Sequence, residues 1–109
     1  MSGKNDLPEW VIEYVCAVMR GYDERARYIE RFPSTGNKVT RIYRTQNAAI
    51  DNAFGAECSP AERRSIEYSI IHSLPYERVG ECPCGRRRFY DLKWNVIRSA
   101  ARNLNIFKP

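Results

Sequence analysis

Residues 75–104 read PYERVGECPCGRRRFYDLKWNVIRSAARNL, and the spacing of apolar side chains in this stretch decides the fold of the chain. From residue 86 onward, apolar side chains recur at intervals of three or four residues: Phe89, Leu92, Val96, Ala100 and Leu104. Such intervals place side chains on one face of an α-helix. The pattern therefore predicts one long helix over residues 86–104, with an apolar face that packs.

The opposite face of this predicted helix is polar and mostly basic. Its first turn carries Arg86, Arg87 and Arg88, at the positive end of the helix dipole, where each cation is disfavoured by about 0.3–1 kcal/mol. Anionic groups of a ligand would offset this repulsion, and neutralisation by Glu81 and Asp91 is the alternative. At about 100° per residue, the polar face carries Arg87, Asp91, Asn95, Arg98 and Arg102, with Trp94 beside them and Arg88 at the edge.

The residues before the long helix predict a short helix and a tight turn. Pro75 suits a first helical position, where its missing N–H has no partner to lose. Tyr76 and Val79 lie three residues apart on one side, and Gly80 would let a second helix approach closely. The Cys-Pro-Cys-Gly segment at residues 82–85 cannot continue a helix. Short helix, turn and long helix together form a helix-turn-helix pattern.

A family resemblance lies in the same residues. YERVGE at 76–81, followed by GRRRFYDLKWNVIRSAARNLNIF at 85–107, resembles the helix-turn-helix of phage transcriptional regulators of the RinA and ArpU type, which is similar to the promoter-reading C-terminal domain of sigma factors. The match is closest at residues 86–90, where that family's recognition helix commonly begins with a Ser-Arg-Arg-Thr-Phe-Tyr-like run. The resemblance implies a DNA-reading helix of a late-gene activator. It implies phosphate or base-edge contacts for Arg86, Arg87 and Arg88, a core position for Phe89, and positions near the groove for Tyr90, Asp91 and Trp94.

The remainder of the chain predicts further helices. After Pro8, an apolar stripe at helical spacing continues past Gly21, and the pattern fits either one helix or two helices joined near Gly21. The stripe could form part of the core or a surface that binds a partner. A polar run at residues 33–37 breaks the pattern. A further helical stripe follows, and Gly55 is predicted to end its helix. The residues of this stripe are Val39, Ile42, Tyr43, Gln46, Ala49, Ile50, Ala53 and Phe54.

A helix start is predicted at Ser59, with Pro60 in the first turn and Glu62 completing a capping box. We therefore predict a single all-α domain of five to six helices, compact, with a C-terminal helix-turn-helix. Its parts are an N-terminal helical arm and linker over residues 1–37, a middle helix over 38–58, and a DNA-binding helix-turn-helix part over 59–109.

Composition and charge narrow the function class. With 43% hydrophobic and 28% charged residues, the chain resembles an ordinary soluble protein, and the absence of a signal-peptide layout or long apolar run predicts a cytoplasmic location. The resemblance to phage regulators implies that this is the cytoplasm of a host bacterium. The net charge of +5 lies in residues 61–109, which hold 10 Lys or Arg against 5 Asp or Glu. A localised positive charge favours a nucleic-acid partner.

Motifs for catalysis and metal binding are missing from the sequence. Cys82 and Cys84 have one residue between them, rather than the two to four usual in zinc sites, and Cys16 and Cys58 stand alone, so we predict free thiols. The single histidine, His72, has no nearby acid or thiol partner in the sequence. We predict no enzyme activity, no cofactor and no metal.

The sequence thus predicts a transcriptional regulator that binds double-stranded DNA site-specifically, with its recognition helix in the major groove. One alternative is a phage accessory protein that binds host RNA polymerase or another host protein without reading DNA; another is a helix-turn-helix subunit of a DNA-packaging terminase. Monomer and homodimer are both open. The candidate DNA-binding residues are Arg86, Arg87, Arg88, Tyr90, Asp91, Trp94, Asn95, Arg98, Arg63 and Arg64.

Overall fold

The computed structural model describes residues 6–107, and the fold is all-α, as the sequence predicts. No residue within that range lies in a β-strand. None of its helices has the length and apolar character needed to cross a membrane. The elements in order are α1 (Glu9–Arg20), α2 (Tyr22–Arg31), α3 (Lys38–Glu57), α4 (Pro60–His72), a 3-10 turn (Tyr76–Arg78) and α5 (Arg86–Asn103).

The N-terminal stripe forms two helices that meet at Gly21. The buried residues of α1 belong to the same apolar cluster as those of α4 and α5, on which α1 packs. The stripe is therefore core along α1, whereas the only buried residue of α2 is Arg25. Trp10, Tyr14 and Phe32 are 54%, 45% and 42% exposed.

A buried arginine joins α2 to its neighbours. Arg25 is only 8% exposed, and its Nε donates to Oδ1 of Asn47 at 2.7 Å while Nη2 donates to the carbonyl of Val18. A Cβ at Gly21 would lie 2.6 Å from Nη1 of Arg25, so any larger residue there would require the guanidinium to shift. Burial lowers the pKa of the Arg25 guanidinium, and its hydrogen bonds offset part of the cost of burying the charge.

The packed face of α3 differs from the predicted stripe. Val39 and Ile42, predicted as packed, are 39% and 46% exposed, whereas Thr40 and Asn47 are buried. The hydroxyl of Thr40 donates to the carbonyl of Phe32 at 2.5 Å, which satisfies this buried polar group. The predicted end at Gly55 is wrong by two residues, since α3 continues through Glu57.

Helix α4 begins as predicted. The hydroxyl of Ser59 accepts from the N–H of Glu62, and a Glu62 carboxylate oxygen accepts from the N–H of Ser59. These two bonds complete the capping box. The helix ends at Ser73, whose φ of 55° turns the chain sharply toward the 3-10 turn.

The predicted short helix over residues 75–80 is wrong. Only the single 3-10 turn forms, and residues 79–85 follow it as a loop. Gly80 has a φ of +82° and a Cβ there would meet no atom within 4 Å. Glycine is therefore required for its left-handed backbone, and the predicted close approach of a second helix does not occur there.

Helix α5 matches its predicted bounds to within one residue, with Leu104 as its C-cap. Its apolar side packs against α3, α1, α4 and the 3-10 turn. This buried side is broader than the predicted stripe, because Ile97, Ser99 and Ala101 are buried beside the predicted core residues Phe89, Leu92, Val96 and Ala100. The exposed side of α5 is therefore narrow. The helices that pack against α5 fix which of its residues face solvent.

Candidate nucleic-acid interface

The first turn of α5 carries the arginine triplet, and no side chain caps it. Gly85 is the N-cap residue and has no side chain to accept a hydrogen bond. The N–H groups of a helix's first turn and the helix dipole favour an anion at this end. Arg86, Arg87 and Arg88 add three exposed guanidinium groups around it.

Two arginines of the triplet are braced by carboxylates from other elements. Nε of Arg86 lies 2.8 Å from Oε2 of Glu77 in the 3-10 turn, and Arg86 also lies over the ring of Tyr90. Nε of Arg88 lies 2.8 Å from Oε2 of Glu62 in α4. The side chains of Arg86 and Arg88 remain 65% and 60% exposed, so their other N–H groups can still reach a ligand.

Three further arginines, on the same three elements, have no carboxylate partner within residues 6–107. Arg87 is exposed on α5, Arg64 on α4 and Arg78 at the end of the 3-10 turn. Arg64 and Arg78 line one open groove of about 870 Å³, together with Tyr68 and the loop at residues 79–83. We call Arg64, Arg78, Arg86, Arg87 and Arg88 the arginine cluster.

Arg78 was missed by the sequence interpretation. Arg78 lies in the YERVGE stretch, directly before the apolar Val79 and within the predicted short helix. Only the position of the loop at residues 79–83 across α4 places it opposite Arg64.

Arg63, a predicted DNA contact, has its partners inside the protein. Its Nη2 lies 2.8 Å from Oδ1 of Asp51, its Nε donates to Glu67, and its guanidinium carbon lies 4.6 Å from the ring centre of Phe54. The side chain is 28% exposed. Arg63 therefore ties α4 to α3, whereas its neighbour Arg64 is exposed, and the DNA contact of Arg63 stays a prediction.

Arg98 and Asn95 are likewise engaged inside the protein. Nη2 of Arg98 lies 2.6 Å from Oδ1 of Asp6, and its side chain is 12% exposed. Oδ1 of Asn95 accepts from Nη1 of Arg98 at 3.0 Å. The Arg98 guanidinium also holds the pKa of the Asp6 carboxyl below its ordinary value. Asp6, before α1, thus engages this part of α5, and the DNA-contact role of Asn95 and Arg98 stays a prediction.

Tyr90, Trp94 and Asp91 are half-buried. The hydroxyl of Tyr90 accepts from the N–H of Tyr76 at 3.1 Å, and its ring packs at right angles to that of Phe89. Trp94 packs against the core. Tyr90 and Trp94 thus complete the rim of the core, while Asp91 lies one turn beyond Arg87 on the exposed side of α5.

The cysteines and the histidine lie apart from any metal-binding group. All four cysteines are thiols, and no three His, Cys, Asp or Glu side chains in residues 6–107 are grouped so as to hold a metal ion. His72 is exposed and its ring packs on that of Tyr68, 4.4 Å between centres. Burial raises the pKa of the Cys58 thiol, and that of Cys84, to about 11.

No protein-family model, curated protein or solved structure matches this chain. The resemblance to phage regulators stays a prediction, and the case for function depends on the geometry of the arginine cluster.

The Glu62–Arg88 pair predicts a pH dependence of stability. Arg88, and the N–H of Ser59, hold the pKa of the Glu62 carboxyl below its ordinary value of 4.5. A carboxyl with a lowered folded-state pKa stabilises the fold above its unfolded pKa, and this stabilisation is lost as pH falls through the folded pKa. Below pH 4.5, the free energy of unfolding, from urea titrations, should therefore fall more steeply for the wild type than for Glu62→Gln.

Glu13→Gln is the control, because Glu13 is exposed on α1 and has no partner in the described residues. It should follow the wild-type pH profile. Parallel profiles for Glu62→Gln and the wild type would contradict the assignment.

Proposed function

We propose that this protein binds double-stranded DNA through the arginine cluster and acts as a transcriptional regulator of the phage late-gene activator type, with the N-terminus of α5 at the major groove. The observation that carries the proposal is that five exposed arginines lie on α4, the 3-10 turn and the start of α5, three elements that the Arg86–Glu77 and Arg88–Glu62 pairs join. Three of these arginines have no carboxylate partner within residues 6–107.

Electrostatics favour a polyanion at this end. Like charges on Arg86, Arg87 and Arg88 crowd the positive end of the α5 dipole, which is unfavourable unless anions lie close by. Glu77 and Glu62 neutralise two of them and fix their positions. DNA phosphates would supply the partners that the remaining arginines lack, and arginine can bind a phosphate with two parallel hydrogen bonds.

Base reading would fall to the exposed residues near the start of α5. In helix-turn-helix proteins, N-terminal residues of the recognition helix contact base edges. Arg87 occupies such a position and can donate two bonds to a guanine. Asp91, one turn further, can accept from a cytosine amino group. Arg64 and Arg78 flank the groove and would hold the DNA backbone.

The proposal is tested by replacing Arg64, Arg78 and Arg87 together with alanine. Each lost phosphate contact removes about 0.9 from the slope of log affinity against log salt, so the variant should bind DNA more weakly and its slope should fall by about 2 to 3. Fluorescence anisotropy with duplex DNA over a series of salt concentrations measures both quantities.

The matched control replaces Arg27, Arg31 and Lys38, three exposed cations on α2 and α3, so that the same charge is removed elsewhere. The control should keep most of the wild-type affinity and slope. An equal loss in both variants would reduce the effect to net charge, and unchanged binding in the folded cluster variant would overturn the proposal.

A second candidate function is binding to host RNA polymerase or another protein without DNA reading, and a different surface favours it. Tyr14 and Ile42 are 45% and 46% exposed and line a groove of about 330 Å³ with Gln46 and Leu104. Trp10 is exposed one turn before Tyr14 on α1. Contiguous exposed apolar side chains are typical of protein interaction sites.

This second candidate predicts that Tyr14→Ser with Ile42→Ser abolishes co-purification with RNA polymerase in DNA-free mixtures while DNA affinity stays unchanged. Phe32→Ser with Val39→Ser is the control, because those exposed side chains lie outside the groove. Retention of the polymerase by the groove variant, or no polymerase binding by the wild type, would eliminate this candidate.

A further inference from the structure

Two thiols meet in the loop that leads into α5. Sγ of Cys82 and Sγ of Cys84 lie 3.6 Å apart, with Pro83 between them in sequence. A disulfide requires about 2.05 Å between sulfurs, so a movement of about 0.8 Å by each atom would close the pair. Both side chains are half-buried, and Gly85, the residue after Cys84, is the N-cap of α5.

We propose that Cys82 and Cys84 form a thiol–disulfide exchange site, which closes to an intrachain disulfide on reaction with a small-molecule disulfide and thereby displaces the arginine cluster. The exchange site stands on the geometry of the two thiols. Its effect on DNA affinity rests on the proposed function.

Access favours Cys82 as the first attacking thiol. Cys82 lines the open groove beside Arg64 and Arg78, and Cys84 is not among the residues that line it. The Cys82 thiolate would attack one sulfur of the small disulfide, form a mixed disulfide and expel one small thiolate. The Cys84 thiolate would then attack the Cys82 sulfur and expel the second.

The reaction balances without a further reagent. The two protein thiols lose two electrons and two protons, and the small disulfide gains both and leaves as two thiols. The second step needs the Cys84 thiolate, and burial raises the pKa of that thiol to about 11. Cys82 and Glu62 contribute to this rise in the pKa and Arg88 opposes it, so closure should accelerate as pH rises from neutral.

Disulfide closure would affect the arginine cluster through the contacts of Cys84 and Tyr76. The carbonyl of Cys84 accepts from the hydroxyl of Tyr76 at 3.1 Å, and the Tyr76 ring packs against Phe89 in α5. Moving Cys84 therefore strains the contact between the 3-10 turn and the start of α5. Because Glu77 lies in that turn and holds Arg86, the oxidised protein should bind DNA several-fold more weakly than the reduced protein.

The test treats the full-length reduced protein with oxidised glutathione. Trypsin releases residues 79–86 as one peptide, which contains Cys82 and Cys84 and no other cysteine. Closure should lower the mass of this peptide by about 2 Da without a glutathione adduct. Cys84→Ser should instead accumulate a glutathione adduct on Cys82, and DNA anisotropy should show weaker binding only where the disulfide forms.

Cys58→Ser is the matched control, since Cys58 is also half-buried with a raised pKa but lies in the linker before α4. It should close Cys82 to Cys84 as the wild type does. A persistent wild-type glutathione adduct, a disulfide involving Cys58, or an unreacted peptide would overturn the exchange site, whatever the DNA result.

The effect of the disulfide on DNA binding is tested separately from disulfide formation. Closure with unchanged DNA affinity would overturn the displacement of the arginine cluster. If the reduced protein bound no DNA, the proposed function would fail, and the mass of the peptide would still decide whether the exchange site exists.

Discussion

Burial of one broad side of α5 is the constraint on which the rest of the structure depends. Phe89, Val96, Ile97, Ala100 and Ala101 have no exposed surface, and α1, α3 and α4 each pack against this helix. Water-excluded apolar area of this kind is the main source of folding free energy. Because the buried side is fixed, the polar side must face outward, and the first turn of α5 comes to lie beside α4 and the 3-10 turn.

The partners of each arginine separate structural roles from candidate binding roles. The side chains of Arg63 and Arg98 are largely buried, and a buried charge needs a partner of opposite charge. Asp51 and Asp6 supply these partners. Arg64, Arg78 and Arg87 are exposed to solvent, where a charge without an ion-pair partner costs little folding free energy. A surface that places such unpaired charges together at one end is electrostatically prepared for a polyanion.

Local signals in the sequence predicted the elements better than their contacts. The capping box at Ser59 and the apolar period of α5 depend on neighbouring residues, and both are confirmed. The packed face of α3 was mispredicted because hydrogen bonds from other segments bury Thr40 and Asn47. The engagement of Arg98 by Asp6 joins residues 92 apart, so no local pattern could indicate it.

The most direct test of the DNA-binding account is a 1H–15N NMR titration of the protein with duplex DNA, because it reports which surface is contacted. If the arginine cluster binds DNA, the amide shifts should concentrate around Arg64, Arg78 and residues 85–91. Shifts that concentrate instead around Tyr14 and Ile42, or a spectrum that DNA leaves unchanged, would contradict it.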